Sequence, residues 1–457
     1  MLERVKWRLD GLRWPLGSAF LAAYAWTSFS PASTGTVIFL GVGIFLYVLS
    51  VPWASSFHRM FALVALSTLT VSLATGRFVP TEFFEGLPQY FDIVAVLIVL
   101  SVAGYPIRAV RYEAHIRALI GRMSSRGISP SVATGALGHV LGAVLDVGAF
   151  VLIDVIARRA MPDGRTEALM WAGRAFTFVP LWSNLNVMTA TTIGLTGVYY
   201  PDLLLLILPF VLVGLALTLF YAQRTGSNVE APPDDTGTLL DRGTAAVLLY
   251  PILLVTSVGI INHYIDQLSL IAVISLTIAV IVVFLGVLAT ILTRSFSPIL
   301  RLARETRGAL TSSHAEFALF GSAGVLVLSL QSLGALDPIG TLFESLPAFL
   351  IAPGLTLFMA LGFLIGIHVI PMVLMIDTVF PLDSGSSPAL WAAAILLGSQ
   401  VVLLLTPFSN AVTMLSRLTA LHPLDIGFKR NWTFSLLYTI SAITYLGLLT
   451  LLLSPGG

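Results

Sequence analysis

Two stretches, one in each half of the chain, place a proline beside an aromatic-Ser-Asn step within long apolar runs. The first is Pro180–Thr189 (PLWSNLNVMT) and the second is Thr406–Met414 (TPFSNAVTM). Proline removes a backbone donor and clashes with the preceding turn, so a helix that reaches either stretch is expected to break. Ser and Asn can then bond the freed backbone groups or point into a cavity. Broken helices at membrane depth occur where protein or a water-filled site covers them, so the paired breaks predict a transporter binding site.

The chemistry of these breaks suits an anion together with a cation. Ser and Asn side chains and freed helix N-termini donate hydrogen bonds to an anion, whereas unwound carbonyls coordinate a cation. The alternative is that each Asn is an ordinary interhelical contact in the membrane. Two matching copies beside prolines favour the ligand site. Its candidate substrate-binding residues are Ser183, Asn184, Asn186, Thr189, Ser409, Asn410 and Thr413.

Four ionisable residues in apolar segments are further candidates, because a charge inside a membrane is costly. Arg174 is expected to counter a carboxylate substrate or to snorkel to a headgroup. Asp146 follows His139 by seven residues, which on one helix places both on the same face. Asp146 would carry a coupling proton, pair with Arg174 or cap a broken helix. His139 and His368 are either a proton relay or hydrogen-bonded helix contacts.

The composition predicts a polytopic helical membrane protein. Of the 457 residues, 57% are hydrophobic and only 10% are charged, against about 25% charged in soluble domains. The net charge of +1 gives no indication of nucleic acid. There is no cysteine, no zinc-binding His-Glu-x-x-His and no phosphate-binding glycine loop, so neither a metal site, a catalytic residue nor a cofactor is predicted. The basic N-terminal stretch favours an uncleaved first helix with a cytoplasmic N-terminus over a signal peptide.

Apolar runs and basic stretches divide the chain into two similar halves. We expect about 10–12 transmembrane helices plus re-entrant segments. Segment 130–157 is either one span or a re-entrant hairpin. The predicted organisation is 1–57, N-terminal spans; 58–222, first repeat, with an interfacial arm at 108–128 and a transport part at 130–222; 223–242, linker; 243–457, second repeat, with an arm at 294–310 and a transport part at 313–457.

An internal repeat is the simplest account of these matches. His139–Leu145 aligns with His368–Leu374, and a basic stretch precedes both. Duplicated units in transporters are often inverted about an axis in the membrane plane. The positive-inside rule places both basic stretches in the cytoplasm, whereas inversion places the second on the far side, so the topology of the middle of the chain stays open.

The paired Ser-Asn motifs, each behind an arm and an apolar segment, resemble the ion transporter superfamily, and within it the divalent anion/sodium symporters. That family has a Ser-Asn-Thr triplet in each repeat, and Leu185 and Ala411 replace its third residue here. Thr189 and Thr413 lie one turn further on and would supply the missing hydroxyl. The resemblance implies a homodimer with scaffold and transport domains and an elevator mechanism, with Ser183, Asn184, Ser409 and Asn410 lining the site.

The sequence therefore predicts a secondary active transporter of the cytoplasmic membrane. It would move a small anion, an organic carboxylate, coupled to Na⁺ or H⁺, in contact with the lipid bilayer and with no nucleic-acid partner. One alternative is a cation/proton antiporter that exchanges its ion at Asp146. A membrane-embedded enzyme and a channel are the remaining alternatives.

Overall fold

The computed structural model describes residues 2–30, 33–106, 112–161, 163–225, 242–265, 268–364, 372, 375, 387–407 and 409–453. Throughout these residues the regular structure is helical, and no strand occurs among them. Seven of the described helices are long and apolar enough to cross a membrane, and four shorter apolar helices accompany them. The predicted class, an all-α polytopic membrane protein, is confirmed.

The helices are named in chain order. They are α1 Leu2–Phe29, α2 Ser33–Ser50, α3 Ser56–Ala74, α4 Pro80–Gly86, α5 Pro88–Ala103, α6 Tyr112–Ser124, α7 Pro130–Leu145, α8 Gly148–Ala160, α9 Arg165–Phe176, α10 Val179–Trp182, α11 Val187–Thr196, α12 Tyr200–Thr225, α13 Arg242–Tyr264, α14 Leu270–Thr293, α15 Ser297–Ser312, α16 His314–Ser332, α17 Asp337–Glu344, α18 Ala348–Leu364, α19 Pro388–Val401, α20 Asn410–Thr419 and α21 Trp432–Leu453. A short 3₁₀ helix covers Val51–Trp53, and a π-helical turn at Asp425–Asn431 precedes α21.

The chain forms two compact units, and each takes one segment from each half of the sequence. Unit 1 contains 1–106 and 257–341, and unit 2 contains 107–256 and 342–457. Most of the predicted linker lies outside the described residues, which stop at 225 and resume at 242.

Unit 1 is organised around α16, which packs against α2, α3 and α5. Small residues on α16 make this close packing possible: a Cβ on Gly321 would lie 2.6 Å from the Tyr47 ring. The Tyr47 hydroxyl lies 3.2 Å from Ser322 Oγ on the same helix. Phe20 stacks on Phe39 with ring centroids 4.9 Å apart, so aromatic rings fill the space between α1 and α2.

Unit 2 contains two helix pairs of the same kind. Helix α7 packs on α9, and α18 packs on α19. In each pair a glycine marks a close crossing. A Cβ on Gly138 would lie 2.9 Å from the Cα of Ala172, and one on Gly398 would lie 2.6 Å from the Thr356 carbonyl oxygen. Small residues at such crossings let helix backbones approach closely in a membrane.

Segment 130–157 contains a helix break. Helix α7 ends at Leu145 and α8 begins at Gly148, and the two helices pack against each other and against α9. This arrangement favours the hairpin alternative over one span. The two basic stretches also contain helices, α6 in unit 2 and α15 in unit 1. On α15, Leu302 and Leu310 are buried, whereas Arg301, Arg304 and Arg307 are exposed.

Candidate functional site

The first break lies between α9 and α11. Helix α9 ends at Phe176, the single turn α10 follows, and Ser183 then takes an extended conformation. The Asn186 side chain accepts a hydrogen bond from the backbone N–H of Met188 at 3.0 Å and so caps α11. The proline and the polar residues thus end one helix and start another, as the sequence predicts.

The second break lies between α19 and α20. Helix α19 ends at Val401, and Ser409 caps α20 by accepting a hydrogen bond from Val412 N–H at 3.0 Å. Asn410 is the first residue of α20 and is exposed, and Thr413 is partly exposed one turn later. Phe408 lies outside the described residues.

The two breaks have the same backbone hydrogen bonds at a constant offset of 223 residues. In each break, the backbone N–H of a buried hydroxyl residue donates to the carbonyl four residues earlier. The N–H of the capping residue donates to the carbonyl three residues earlier, and the N–H four residues after the cap donates to the cap's own carbonyl. The matched pairs are Ser183 N to Val179 O (2.9 Å) with Thr406 N to Val402 O (3.0 Å), Asn186 N to Ser183 O (2.9 Å) with Ser409 N to Thr406 O (3.4 Å), and Ala190 N to Asn186 O (2.9 Å) with Thr413 N to Ser409 O (2.9 Å).

The same offset describes where the outgoing helices end. Helix α11 is followed by Gly197 at φ +64°, and α20 is followed by Ala420 at φ +58°. Both are left-handed residues, the usual conformation after a helix C-terminus. The hydroxyl of Thr196 donates to the carbonyl four residues back at 2.7 Å, and Thr419 does the same at 2.7 Å.

This register differs from the alignment of the Ser-Asn motifs. That alignment equates Ser183 with Ser409, an offset of 226 residues. In the structure Ser183 corresponds to Thr406, and Asn186 corresponds to Ser409. The feature common to both breaks is therefore a buried hydroxyl followed, three residues later, by a polar helix cap. The second Ser-Asn pair lies one turn further along its break than the first.

The polar groups at the first break are deeply buried. Ser183 and Asn184 are fully buried, and Ser183 Oγ donates to the Ala143 carbonyl at 3.0 Å. Thr189 donates its hydroxyl to the Pro180 carbonyl, so α11 is tied to α10. The Asn184 amide donates to Val255 O at a long 3.5 Å.

Asn184 Oδ1 has no hydrogen-bond partner among the described residues. A buried acceptor without a partner costs about 1–3 kcal/mol, which a ligand that donates a hydrogen bond or a cation would offset.

Asp146 lies beside this break and not on a helix face. It directly follows α7 with φ +51°, and Asn186 Nδ2 donates to its Oδ1 at 3.4 Å. The expectation that Asp146 and His139 share one helix face is wrong, because α7 ends at Leu145. Positive φ is unusual for a residue other than glycine, and residues held in strained backbone conformations cluster at functional sites. The Asp146 carboxylate is thereby placed next to the cap of α11.

His139 connects α7 to the end of α9 and to the end of α10. Its Nδ1 lies 2.9 Å from the Ala175 carbonyl, and the indole N–H of Trp182 donates to its Nε2 at 3.1 Å. Indole nitrogen can only donate, so Nε2 accepts and Nδ1 carries the proton. Both ring nitrogens are thus hydrogen-bonded, in the arrangement of a neutral imidazole. His368 lies outside the described residues.

Arg174 lies on α9, but its guanidinium contacts other partners than the breaks. Its Nε donates to Asn431 Oδ1 at 2.9 Å and its Nη2 donates to the Arg430 carbonyl at 2.8 Å. The guanidinium also stacks on Trp171, 4.3 Å from the ring centroid. Arg174 therefore joins α9 to the π-helical turn that precedes α21.

A buried ion pair that the sequence analysis missed joins three helices of unit 2. Asp154 is 2% exposed and accepts from Arg158 Nε at 2.7 Å and from Arg165 Nε at 2.5 Å. Arg165 also donates to the Leu418 carbonyl near the end of α20. Helices α8, α9 and α20 are thus connected by one carboxylate and one guanidinium. The signal in the sequence was the Asp-Arg spacing of four residues in an apolar segment.

The helices around the two breaks pack reciprocally. Helix α9, which leads into the first break, packs on α20, which leaves the second. Helix α19, which leads into the second break, packs on α10 and α11 at the first. Unit 2 thus contains both breaks, with Ser183, Asn184, Asn186, Thr189 and Asp146 around the first and Ser409, Asn410 and Thr413 at the second. In the described residues no group of three or more His, Asp or Glu side chains forms a metal site.

The fold and these paired breaks define a polytopic α-helical membrane protein with a polar site in one unit. No family model matches the chain. No curated protein matches it either. Among solved structures, the chain is similar to the YdaH transporter of Alcanivorax borkumensis, whose topology is described as unusual. The TM-score is 0.50 with 14% sequence identity, over 86% of this chain and 97% of that one. At this identity the similarity shows a shared fold.

Proposed function

We propose that this protein is a secondary active transporter that moves a small organic carboxylate across the cytoplasmic membrane, coupled to Na⁺ or H⁺. The observation that carries the proposal is the pair of breaks with one hydrogen-bond register in unit 2. The fold shared with a solved transporter supports it. The resemblance of the Ser-Asn motifs to divalent anion/sodium symporters adds the substrate class.

The helix ends at the breaks suit an anion. The N-termini of α11 and α20 carry partial positive charge and unpaired N–H groups, which stabilise carboxylates. Ser183, Asn186, Ser409 and the more exposed Asn410 are the polar side chains beside these ends. Arg174 is left outside the proposed site because Asn431 and the Arg430 carbonyl already bind its guanidinium.

Oxygen acceptors at the first break suit the coupling cation. Asn184 Oδ1 lacks a partner among the described residues, and the Asp146 carboxylate lies beside the α11 cap. Oxygen ligands of this kind bind Na⁺, and a carboxylate of this kind carries H⁺. A cation bound near the anion offsets its charge, so each favours the binding of the other. This mutual stabilisation is the physical basis of symport.

The resemblance extends the proposal to assembly and movement. Unit 2 holds both breaks and would be the transport domain, and unit 1 would be the scaffold domain of a homodimer with an elevator mechanism. The N-terminus would be cytoplasmic.

The test is uptake of radiolabelled mono- and dicarboxylates into proteoliposomes under an imposed Na⁺ or H⁺ gradient. We expect gradient-dependent uptake by the wild type. In Asn184→Ala we expect uptake to fall at least tenfold, because the substitution removes the free acceptor. Asn262→Ala, a partly exposed Asn on α13, is the matched control and should transport normally. No uptake of any carboxylate under either gradient would refute the proposed substrate class.

A cation/proton antiporter is the second candidate, and the position of Asp146 beside Asn186 favours it. Proteoliposomes with a pH-sensitive dye inside distinguish the two functions. Antiport predicts Na⁺-driven proton movement without an organic substrate, and its loss in Asp146→Asn. Symport predicts that proton or sodium movement requires the carboxylate.

A further inference from the structure

Unit 1 contains a half-open cavity at one end of its helices. It lies between the last turns of α1, the first turns of α2 and α5, and the residues just before α14, and has a volume of about 650 Å³. Its described lining includes Asp92 but no Lys, Arg or His. None of the proposed transport residues belongs to it.

Asp92 is an acid on α5, within the helical segment Pro80–Ala103 that is long and apolar enough to span the membrane. Its carboxylate has no hydrogen bond or ion pair in the described part of the chain, and it faces the cavity as one of the lining residues. A charge in such a segment is costly to maintain and is by default a functional group. A carboxylate without a partner is stabilised when a cation or a hydrogen-bond donor binds beside it.

The neighbouring polar groups are acceptors. Thr27 Oγ1 and Ser28 Oγ each donate their only hydrogen to the Tyr24 carbonyl at 2.9 Å, so their oxygens can only accept from a ligand. The Tyr24 hydroxyl is enclosed behind the cavity wall, with Ser28 and Ser275 as its polar neighbours, so it is not counted among these acceptors. The cavity therefore offers one negative charge and several oxygens to a donor.

The rest of the lining is apolar and aromatic. Phe39 packs against Tyr24 with ring centroids 5.8 Å apart, and Pro88, Ile265 and Leu268 complete the wall. A bare metal ion would leave most of this volume empty and most of these carbon atoms without contacts. A ligand with an ammonium group and an apolar substituent fits both the polar and the apolar part of the lining. Its N–H groups bond to oxygens, and the cation is attracted to aromatic faces.

We infer that this cavity binds an organic ammonium group, with Asp92 as its counter-ion and Thr27 and Ser28 as its hydrogen-bond acceptors. The ammonium group comes either from a free amine or from a lipid headgroup such as phosphatidylethanolamine. The inference is independent of the carboxylate proposed for unit 2.

Thermal unfolding of the purified full-length protein tests it, with 2-phenylethylammonium as the probe and 2-phenylethanol as its uncharged analogue. A ligand that binds only the native state raises the unfolding temperature. We expect the ammonium compound to raise it and the alcohol to have no effect. An equal response to both compounds would overturn the inference, because the charge would then play no part.

Variants locate the binding. Loss of a charge-assisted hydrogen bond costs affinity by about tenfold or more, which is the expected effect of Asp92→Asn. Glu85→Gln, an exposed acid of the same unit, is the matched control and should bind like the wild type. If Asp92→Asn does not fold, Thr27→Val decides, with an affinity about three- to tenfold weaker expected for one lost acceptor. Unchanged affinity in Asp92→Asn, or in the second variant if Asp92→Asn does not fold, would overturn the inference.

Native mass spectrometry distinguishes the two sources. Protein reconstituted with equal phosphatidylethanolamine and phosphatidylcholine is compared with its Asp92→Asn variant. Selective retention of phosphatidylethanolamine by the wild type alone identifies the lipid. A thermal response to the probe without that retention identifies a free amine. Absence of both contradicts the proposed site.

Discussion

At both breaks the residue that starts the outgoing helix is a small polar cap whose side chain replaces a missing backbone acceptor. Asn186 and Ser409 do this with different chemistry, an amide oxygen and a hydroxyl oxygen, at equivalent positions. Asn186 has a second role, because its amide group also donates to Asp146. The first break thus couples a helix cap to a carboxylate, whereas at the second the described contacts of Ser409 are those of the cap.

The capping role of Ser409 predicts that another capping residue is tolerated at this position and that alanine is not. Ser409→Ala should lower the free energy of unfolding by about 1 kcal/mol, because the α20 cap is lost. Ser409→Asn should retain most of it, since Asn caps helices as well as Ser does. Thermal unfolding of the purified variants measures both. Equal loss in the two variants would show that Ser409 stabilises the protein other than by capping.

The contacts of His139 predict that its substitution lowers the stability of the protein and leaves the coupling of ion to substrate unchanged. His139→Gln keeps an acceptor for Trp182 but loses the bond to the Ala175 carbonyl, at a cost of about 1 kcal/mol. The ratio of coupling ion to substrate, measured from paired fluxes in proteoliposomes, should be unchanged. A changed ratio would make His139 part of the proton pathway.

At the scale of helices, close crossings hold the broken segments in position. The α7–α9 and α18–α19 pairs cross at Gly138 and Gly398, and a polar side chain bonds across each pair to a helix carbonyl. His139 does so in the first pair. In the second pair Thr356 Oγ1 shares its hydrogen between the Ala352 carbonyl of its own helix at 3.0 Å and the Ala394 carbonyl of α19 at 3.2 Å. Each helix that leads into a break is therefore fixed to a neighbour before the break begins.

The close approach at these glycines predicts that substitution by any larger residue destabilises the protein. In Gly138→Ala the new Cβ would meet the backbone of Ala172 at 2.9–3.0 Å, which should destabilise the protein by about 1–3 kcal/mol. Gly41→Ala is the control, because nothing lies within 4 Å of its Cβ. That variant should be neutral or more stable by up to about 1 kcal/mol, since alanine favours helix. Thermal unfolding of both variants provides the comparison.

At the scale of the molecule, the 223-residue register relates two segments that each contain an incoming helix, a break and an outgoing helix. The reciprocal packing of α9 with α20 and of α19 with α11 is what a two-fold axis between repeats produces. A two-fold axis in the membrane plane inverts one repeat with respect to the other.

Inverted repeats predict that equivalent positions face opposite sides of the membrane. Tyr199 and His422 are equivalent and both are exposed. The chain has no cysteine, so in the single variants Tyr199→Cys and His422→Cys any thiol labelling comes from the introduced residue. In intact cells a membrane-impermeant maleimide should label only one of them, and the other should react after permeabilisation. Labelling of both from the same side would indicate a parallel duplication.

The membrane class and the positions of the helix breaks could be predicted from the sequence, whereas most contacts between distant segments could not. Composition predicts the membrane class, and each proline-bearing polar stretch predicts its break, because both depend on local chemistry. The repeat register was missed by three residues, since Thr406 replaces Ser183 and Ser409 replaces Asn186, and identity matching does not equate hydroxyls with amides. The partners of Arg174 lie more than 250 residues away, so no local signal indicates them. Asp92 was overlooked although an acid within an apolar run is such a signal.

The division of the chain between two units has a consequence for biogenesis. Unit 1 needs residues up to 341 and unit 2 needs residues up to 457, so the ribosome has made most of the chain before either can close. Until α19 and α20 emerge, the polar groups of the first break sit in the bilayer without their second-half neighbours. Chains that pair distant segments fold slowly and expose such groups meanwhile. Nascent chains stalled before residue 388 should therefore be held by the insertion machinery, and released chains of that length should be degraded.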